Sequence, residues 1–218
     1  MVHMDDERLQ KIKDGGLLEV IREKPALYLG DRSLSALWYY LQGYWMALSV
    51  YDMRTASPLP PDFHDWVAYR LHFYESTSGY RNMILKRVPE ESAALDRFFE
   101  LLDEHKNRKP HIVAQVPGGK EYTWSTVKEG RPQEQQTGTY PTLNLIAYTD
   151  DPGFFVSSAD ADTDFPREDH FFPTLQLFGR RFGISKDDLM ILDASTFNRW
   201  VSEEDRFPQR GQKSKPSA

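Results

Sequence analysis

The sequence contains no cysteine. A chain without thiols forms no disulfide and supplies no thiolate nucleophile, iron–sulfur ligand or thiolate zinc ligand. It also lacks any run that approaches the roughly 20 apolar residues needed to cross a bilayer, and its first residues, Met1 to Asp14, are charged and unlike a signal peptide. We therefore expect a cytoplasmic protein that has no membrane partner.

Positive charge is also in short supply, because 27 Lys and Arg residues face 33 Asp and Glu residues and leave a net charge of −6. A phosphate backbone selects for clustered Lys and Arg, so this balance opposes nucleic-acid binding. The chain is, however, rich in apolar residues: of its 218 residues, 39% are hydrophobic and 13% are aromatic. That is enough to close a core, and the composition predicts a globular protein.

Apolar residues recur at helical spacing in residues 1–109, which predicts a mainly helical region. The clearest helix follows Ser33, a capping residue type. Trp38 and Trp45 are seven positions apart on that helix, and this spacing favours a place in the core for both. Other rings on the helix fall on different faces, where amphipathic side chains are available to a protein partner. The tyrosines that we predict to be exposed in this way are Tyr39, Tyr40 and Tyr44.

Residues 110–207 have a different character and predict an α+β region, which either packs with the first region as one domain or forms its own core. His111–Val116 and Tyr122–Val127 have strand composition, and their spacing favours a hairpin. Glu129–Thr139 is rich in Gly, Pro and Gln and predicts a loop. The predicted fold class is α+β, with a helical N-terminal half followed by a small antiparallel sheet of three or four strands and by C-terminal helices. Residues 208–218 are predicted to be a disordered tail.

Negative charge is concentrated in residues 150–169, which we call the acidic segment. Seven acidic residues and one basic residue give this segment a net charge of −6, equal to that of the whole chain. Such a segment is either a solvated loop or a contact surface for a basic partner, whose association the opposite charge accelerates. The carboxylates that we predict to contact a partner are Asp150, Asp151, Asp160, Asp162, Asp164, Glu168 and Asp169.

Part of the acidic segment alternates like the opening of a calcium-binding loop, at Asp160, Asp162 and Asp164. The EF-hand pattern requires Gly at its sixth position and Glu at its twelfth, where this sequence has Phe165 and Phe171. We therefore predict no metal ligand here. Because the sequence also has no HExxH, GxSxG or Walker motif, we predict no cofactor and no catalytic residue. The alternative is a metal-dependent hydrolase that uses the aspartates of residues 160–170 together with His170.

The segment from Leu18 to Asp31, LEVIREKPALYLGD, is similar to the motif near the amino terminus of gyrase B-type ATPases of the GHKL family. That family needs a Glu and an Asn on the following helix, and later a DxGxG nucleotide loop. Here the following helix, LSALWYYLQGYWMAL, has no acid and no Asn, and no DxGxG occurs later. The resemblance therefore implies no ATPase residue in this chain.

A broader resemblance spans approximately Leu17 to His105. It rests on an opening with Pro25, Tyr28, Leu29 and Gly30, on a helix from Ser33 to Tyr44 that contains Gly43, and on an ending with Ala94, Leu95, Phe98, Phe99, Leu102, Asp103 and Glu104. These features resemble those of uncharacterised bacterial proteins, which in turn look like immunity proteins of polymorphic toxin or contact-dependent systems. LPPDF, from Leu59 to Phe63, is similar to part of the SUKH immunity superfamily. An immunity role implies inhibition by tight binding, without catalysis and without a cofactor.

The favoured hypothesis is therefore a toxin-neutralising immunity protein that occludes a basic partner protein, such as a nuclease toxin. A nuclease carries Lys and Arg to hold phosphates, and an acidic inhibitor can occupy that surface. The competing hypotheses are the metal-dependent hydrolase and a structural or regulatory subunit that self-associates as a homo-oligomer.

Overall fold

The computed structural model describes residues 16–51, 57–119, 121–128, 131–139, 141–159 and 170–202 of the chain. Eight α-helices and seven β-strands lie in these ranges, and their strand pairs are antiparallel. The predicted α+β class is confirmed, with a helical N-terminal half, an antiparallel sheet and C-terminal helices. The helices are α1 (Leu17–Glu23), α2 (Pro25–Leu29), α3 (Leu34–Val50), α4 (Phe63–Leu71), α5 (Gly79–Arg87), α6 (Glu91–Asn107), α7 (Leu175–Phe182) and α8 (Ala194–Ser202). The strands are β1 (His111–Val116), β2 (Glu121–Lys128), β3 (Arg131–Thr139), β4 (Leu143–Ala147), β5 (Phe154–Ser158), β6 (His170–Phe172) and β7 (Met190–Ile191).

The described residues up to Val67 and those of Thr77–Lys106 form one unit, which is built of helices. Helix α3 begins after Ser33, whose hydroxyl accepts a hydrogen bond from the Ala36 N–H at 3.1 Å and so satisfies a free donor of the first turn. One face of α3 is buried, at Leu34, Leu37, Leu41 and Leu48. The core of this unit also includes Ile21, Phe63, Trp66, Tyr80, Met83, Phe98 and Leu102.

Glu91, the first residue of α6, joins the beginnings of two helices. Its carboxylate accepts hydrogen bonds from the Ser33 hydroxyl at 2.9 Å and from the N–H and hydroxyl of Ser35 at 2.9 and 2.6 Å. These donors lie at the start of α3, where the helix dipole favours negative charge. Partial burial acts to raise the pKa of Glu91, but the hydrogen bonds from Ser35 and Ser33 together lower it below its ordinary value.

The second unit comprises Ala68–Ser76 and the described residues from Asn107 onward. Its sheet has five strands, not the three or four that the sequence predicts, in the order β6-β5-β4-β1-β7. Helices α7 and α8 pack against this sheet and complete the core, in which the rings of Phe154 and Trp200 stack with centroids 4.7 Å apart. Helix α7 ends at Gly183, which has the left-handed conformation that glycine adopts most readily.

The predicted hairpin between the first two strands is wrong. Strand β1 lies inside the sheet and pairs with β4 on one side and β7 on the other, which leaves no free edge for β2. Strand β2 instead pairs with β3 in a separate two-stranded sheet. The predicted loop over Glu129–Thr139 is therefore also wrong, because Arg131–Thr139 forms β3. Pro132 is tolerated there because it is the second residue of a strand that pairs along one edge only.

Two features of the helical unit also differ from the sequence interpretation. The sequence did not predict helix α5, because Ser78 and Gly79 are residue types typical of loops. In the structure the helix begins at Gly79, which has a positive φ. Trp45 lies outside the core with 43% of its surface exposed, and Trp38 is half buried. Within the described residues, no helix combines the length and the apolar character that crossing a membrane requires.

Candidate functional site

The turn between β4 and β5 contains the first two carboxylates of the acidic segment, and their environments differ. Asp151 is only 23% exposed, because Arg70 forms an ion pair with its carboxylate. His72 Nε2 lies 3.2 Å from the same carboxylate, and the Thr149 hydroxyl donates to it at 3.2 Å. These contacts use the charge of Asp151 to hold the turn, so this carboxylate is engaged within its own unit.

The same turn is held by a buried tyrosine. The hydroxyl of Tyr69 lies 2.8 Å from the Thr149 hydroxyl and accepts a hydrogen bond from the Thr149 N–H at 3.3 Å. Burial raises the pKa of Tyr69, and the hydrogen bonds with Thr149 oppose that rise only in part. His72 follows at the end of α4 with a φ of 54°, a left-handed conformation that is unusual for a residue with a side chain. A strained histidine is kept where surrounding contacts hold it, and here Asp151 supplies one.

Asp150, by contrast, has a side chain that is 95% exposed. Its carboxylate accepts hydrogen bonds from the Arg199 guanidinium at 3.2 and 3.3 Å. An ion pair this exposed contributes little to stability, because water screens both charges. Asp150 therefore presents a surface carboxylate with a weakly held cation beside it.

The other predicted contact carboxylates, Asp160, Asp162, Asp164, Glu168 and Asp169, lie outside the described residues. They belong to the connection that leaves β5 after Ser158 and returns at His170, the first residue of β6. Among the residues that the structure does describe, no group of three or more His, Asp and Glu side chains could hold a metal ion.

The three tyrosines on α3 also differ in exposure. Tyr39 is 65% exposed, and its ring meets Trp38 edge to face at a centroid distance of 5.0 Å. The Arg81 guanidinium lies over both rings, 4.8 Å from the Trp38 centroid and 5.9 Å from the Tyr39 centroid, within the range of a cation–π interaction. Tyr40 and Tyr44 are half buried, and burial raises the pKa of Tyr40. The structure therefore brings one of the three rings to the open surface.

A feature that the sequence interpretation missed lies on the same helix. Tyr39 heads a row of exposed residues at spacings of three and four, which we call the α3 stripe and which consists of Tyr39, Gln42, Gly43, Met46, Ala47 and Val50. Met46 and Val50 are 71% and 74% exposed, although both are apolar. The signal that could have indicated this stripe is the absence of any charged residue from Leu34 to Val50.

A cavity of about 40 Å³ lies in the second unit, between α7 and the short helix at Lys186–Asp188. It is lined mainly by apolar side chains, including Phe178, Ile184 and Leu189. A space of this size holds one or two water molecules, so it does not form a substrate pocket. No protein-family model, curated protein or solved structure matches this chain.

Proposed function

We propose that this chain is a cytoplasmic bacterial immunity protein, which neutralises a basic partner protein by occluding its surface without catalysis. The observation that carries the proposal is the position of the acidic segment. Its described part begins in the turn between β4 and β5, where the side chain of Asp150 is 95% exposed, and binding residues commonly lie on loops that a rigid scaffold holds in place. The immunity assignment itself rests on the resemblance of residues 17–105 given above.

The charge of the segment indicates the chemistry of the partner. Clustered carboxylates attract a surface rich in Lys and Arg and accelerate its association, most strongly at low ionic strength. A nuclease toxin has such a surface because it binds phosphates. Asp150 supports this role through its exposure, whereas the carboxylate of Asp151 is engaged with Arg70 and His72. We therefore assign the contact to Asp150 and to the carboxylates of residues 160–169.

The test compares two triple variants of the full chain that remove the same number of charges. The first replaces Asp160, Asp162 and Asp164 by Asn. The control replaces Glu100 and Glu121 by Gln and Asp187 by Asn, which are exposed positions outside the acidic segment. The measurement is the rate of association with a basic protein encoded next to this chain, at several salt concentrations.

The expected result is that the first variant associates about tenfold more slowly at low salt, while the control stays within about twofold of the original chain. The difference should shrink as salt is added, because ions screen the contact. Equal rates for the two variants would reject the acidic segment as the contact surface.

The same first variant distinguishes binding from the metal-dependent hydrolase. Calorimetric titration with calcium, magnesium, manganese and zinc would show saturable binding by the original chain if Asp160, Asp162, Asp164 and His170 formed a metal site. If the Asn substitutions abolished that binding, the immunity proposal would give way to the enzyme hypothesis.

A further inference from the structure

The α3 stripe belongs to the helical unit and is separate from the acidic segment in sequence and in chemistry. It is apolar and exposed, and it runs along most of a 17-residue helix that is about 25 Å long. We propose that the α3 stripe is the contact between two copies of this chain, which form a dimer about a two-fold axis. This inference does not depend on the proposed immunity function.

Gly43, near the middle of the stripe, is the first argument for a second helix at this place. A glycine inside a helix is less favourable than alanine, by lost backbone entropy. The surroundings within the chain do not require it, because a Cβ at Gly43 would meet no atom within 4 Å. A small residue at a helix crossing lets two backbones approach closely, with larger side chains such as Met46 packing on either side.

The lack of charge indicates which kind of partner fits. Charged residues make up 28% of the chain, yet α3 has none. A basic partner would find no carboxylate on this face to pair with. A two-fold axis places the side chains nearest to it opposite their own equivalents in the copy, where any charge would be repelled by its like. An uncharged stripe therefore suits a second copy, in a chain whose net charge of −6 otherwise opposes self-association.

The size of the surface agrees with a weak, specific dimer. An aromatic side chain covers 150–250 Å² and a large aliphatic one about 100 Å², so the stripe with the adjacent exposed rings of Trp45 and Tyr51 offers roughly 500 Å². Two copies would bury roughly 1,000 Å², the lower bound for a specific interface. Tyr39, whose ring contacts Trp38 edge to face and lies 5.9 Å from the Arg81 guanidinium, provides an aromatic anchor at one end.

The first experiment is sedimentation equilibrium of the full chain between about 1 and 100 µM, a range that covers the dissociation constant expected for a small interface. We expect a reversible monomer–dimer equilibrium. Met46→Glu places two like charges across the axis and should raise the dissociation constant at least about tenfold. Met190→Glu makes the same change at an exposed methionine on β7 and should leave the constant within about twofold.

The second experiment uses the absence of cysteine from the chain. Gly43→Cys introduces a single thiol where there is open space, and mild oxidation should link two copies through it much faster than through Met190→Cys. Circular dichroism and melting temperature check that each variant folds. A chain that remains monomeric at the highest concentration would overturn the proposal and leave the stripe to another protein. A Met46→Glu dimer as tight as the original, or equal cross-linking at both positions, would also overturn it.

Discussion

At the scale of single residues, Tyr80 on α5 is buried, with a well-packed ring and a hydroxyl in a less favourable environment. Its ring lies 5.3 Å from that of Phe98 and 5.9 Å from that of Phe63, centroid to centroid. Within the part of the chain that the structure describes, its buried hydroxyl has no hydrogen-bond partner. Burial raises the pKa of Tyr80 far above its ordinary value, so the group stays neutral. A buried hydroxyl without a partner costs about 1–3 kcal/mol.

We therefore expect Tyr80→Phe to raise the free energy of unfolding by about 1 kcal/mol, since it removes the hydroxyl and keeps the ring. Urea denaturation of the full chain measures the change. The matched control is Tyr69→Phe, which removes a hydroxyl that is hydrogen-bonded to Thr149 and should lower the free energy of unfolding by about 1 kcal/mol. Equal losses in the two variants would show that the hydroxyl of Tyr80 has an acceptor after all.

At the scale of secondary-structure elements, the start of α5 depends on a side chain from another helix. Ser78 precedes α5 without forming a side-chain cap. His64 on α4 takes that role, because its Nδ1 accepts a hydrogen bond from the Tyr80 N–H at 3.2 Å. This contact requires an unprotonated Nδ1. Burial lowers the pKa of His64 below its ordinary value of 6.5, and the negative charge of Asp65 opposes the shift only in part.

The sign of the pH dependence follows from this lowered pKa. The folded state binds a proton at His64 less readily than the unfolded state, so the contribution to stability is complete above pH 6.5 and is lost as the pH falls through the folded pKa. Denaturation at a series of pH values should show this fall in the original chain and a weaker one in His64→Gln. His111→Gln removes another imidazole, leaves the His64 contact in place and should retain the fall. A fall unchanged by His64→Gln would contradict the capping role.

Two glycines inside helices should respond to alanine in opposite directions. At Gly43 a Cβ meets open space, so Gly43→Ala should raise the free energy of unfolding by about 0.5–1 kcal/mol, measured at a concentration where the chain is monomeric. At Gly179 on α7, a Cβ would lie 2.6 Å from the carbonyl oxygen of Ile184, which is backbone and cannot swing away. Gly179→Ala should therefore lower the free energy of unfolding by about 1 kcal/mol or more. A higher free energy of unfolding in both variants would show that the backbone at the end of α7 shifts readily to accommodate a Cβ at Gly179.

The strands show how far local sequence determines the elements. The composition of β1 and β2 predicted two strands, and both form. Their partners were not predictable in the same way, because β1 pairs with β4 and β7 through residues as distant as Ala114 and Ile191. Pairing across such distances is decided by which edges remain free, whereas a hairpin prediction considers only neighbours. Local composition also failed for β3, whose Gly and Pro lie near its two ends.

At the scale of the whole molecule, the candidate site was predictable in composition and only partly in placement. The concentration of carboxylates in residues 150–169 is a property of the sequence. The engagement of Asp151 is not, because its partner His72 lies 79 positions away. Helical periodicity places the three tyrosines on different faces of α3 but does not determine which face is exposed. The fold of the unit exposes Tyr39 and half-buries Tyr40 and Tyr44. Tertiary contacts thus decide which polar side chains remain exposed and able to contact a partner.

The molecule as a whole should lose stability in acid through Glu91. Three hydrogen bonds from Ser33 and Ser35, at the start of α3, hold its carboxylate at the start of α6, so Glu91→Gln should lower the free energy of unfolding by about 1–2 kcal/mol at neutral pH. Because the pKa of Glu91 is lowered on folding, its contribution is complete above the ordinary value of 4.5 and disappears as the pH falls through the lowered one.

The curves of free energy of unfolding against pH for the original chain and Glu91→Gln should therefore converge in acid. Other carboxylates do not obscure this result. Asp193, whose pKa is lowered mainly by hydrogen bonds from Thr196 and His111, titrates in the same way in both proteins and cancels from the difference. Glu100→Gln removes an exposed carboxylate paired with Arg97, and its curve should lie close to that of the original chain at every pH. A gap between the original chain and Glu91→Gln that stays constant into acid would mean that side-chain packing, and not the charge of Glu91, joins the two helices.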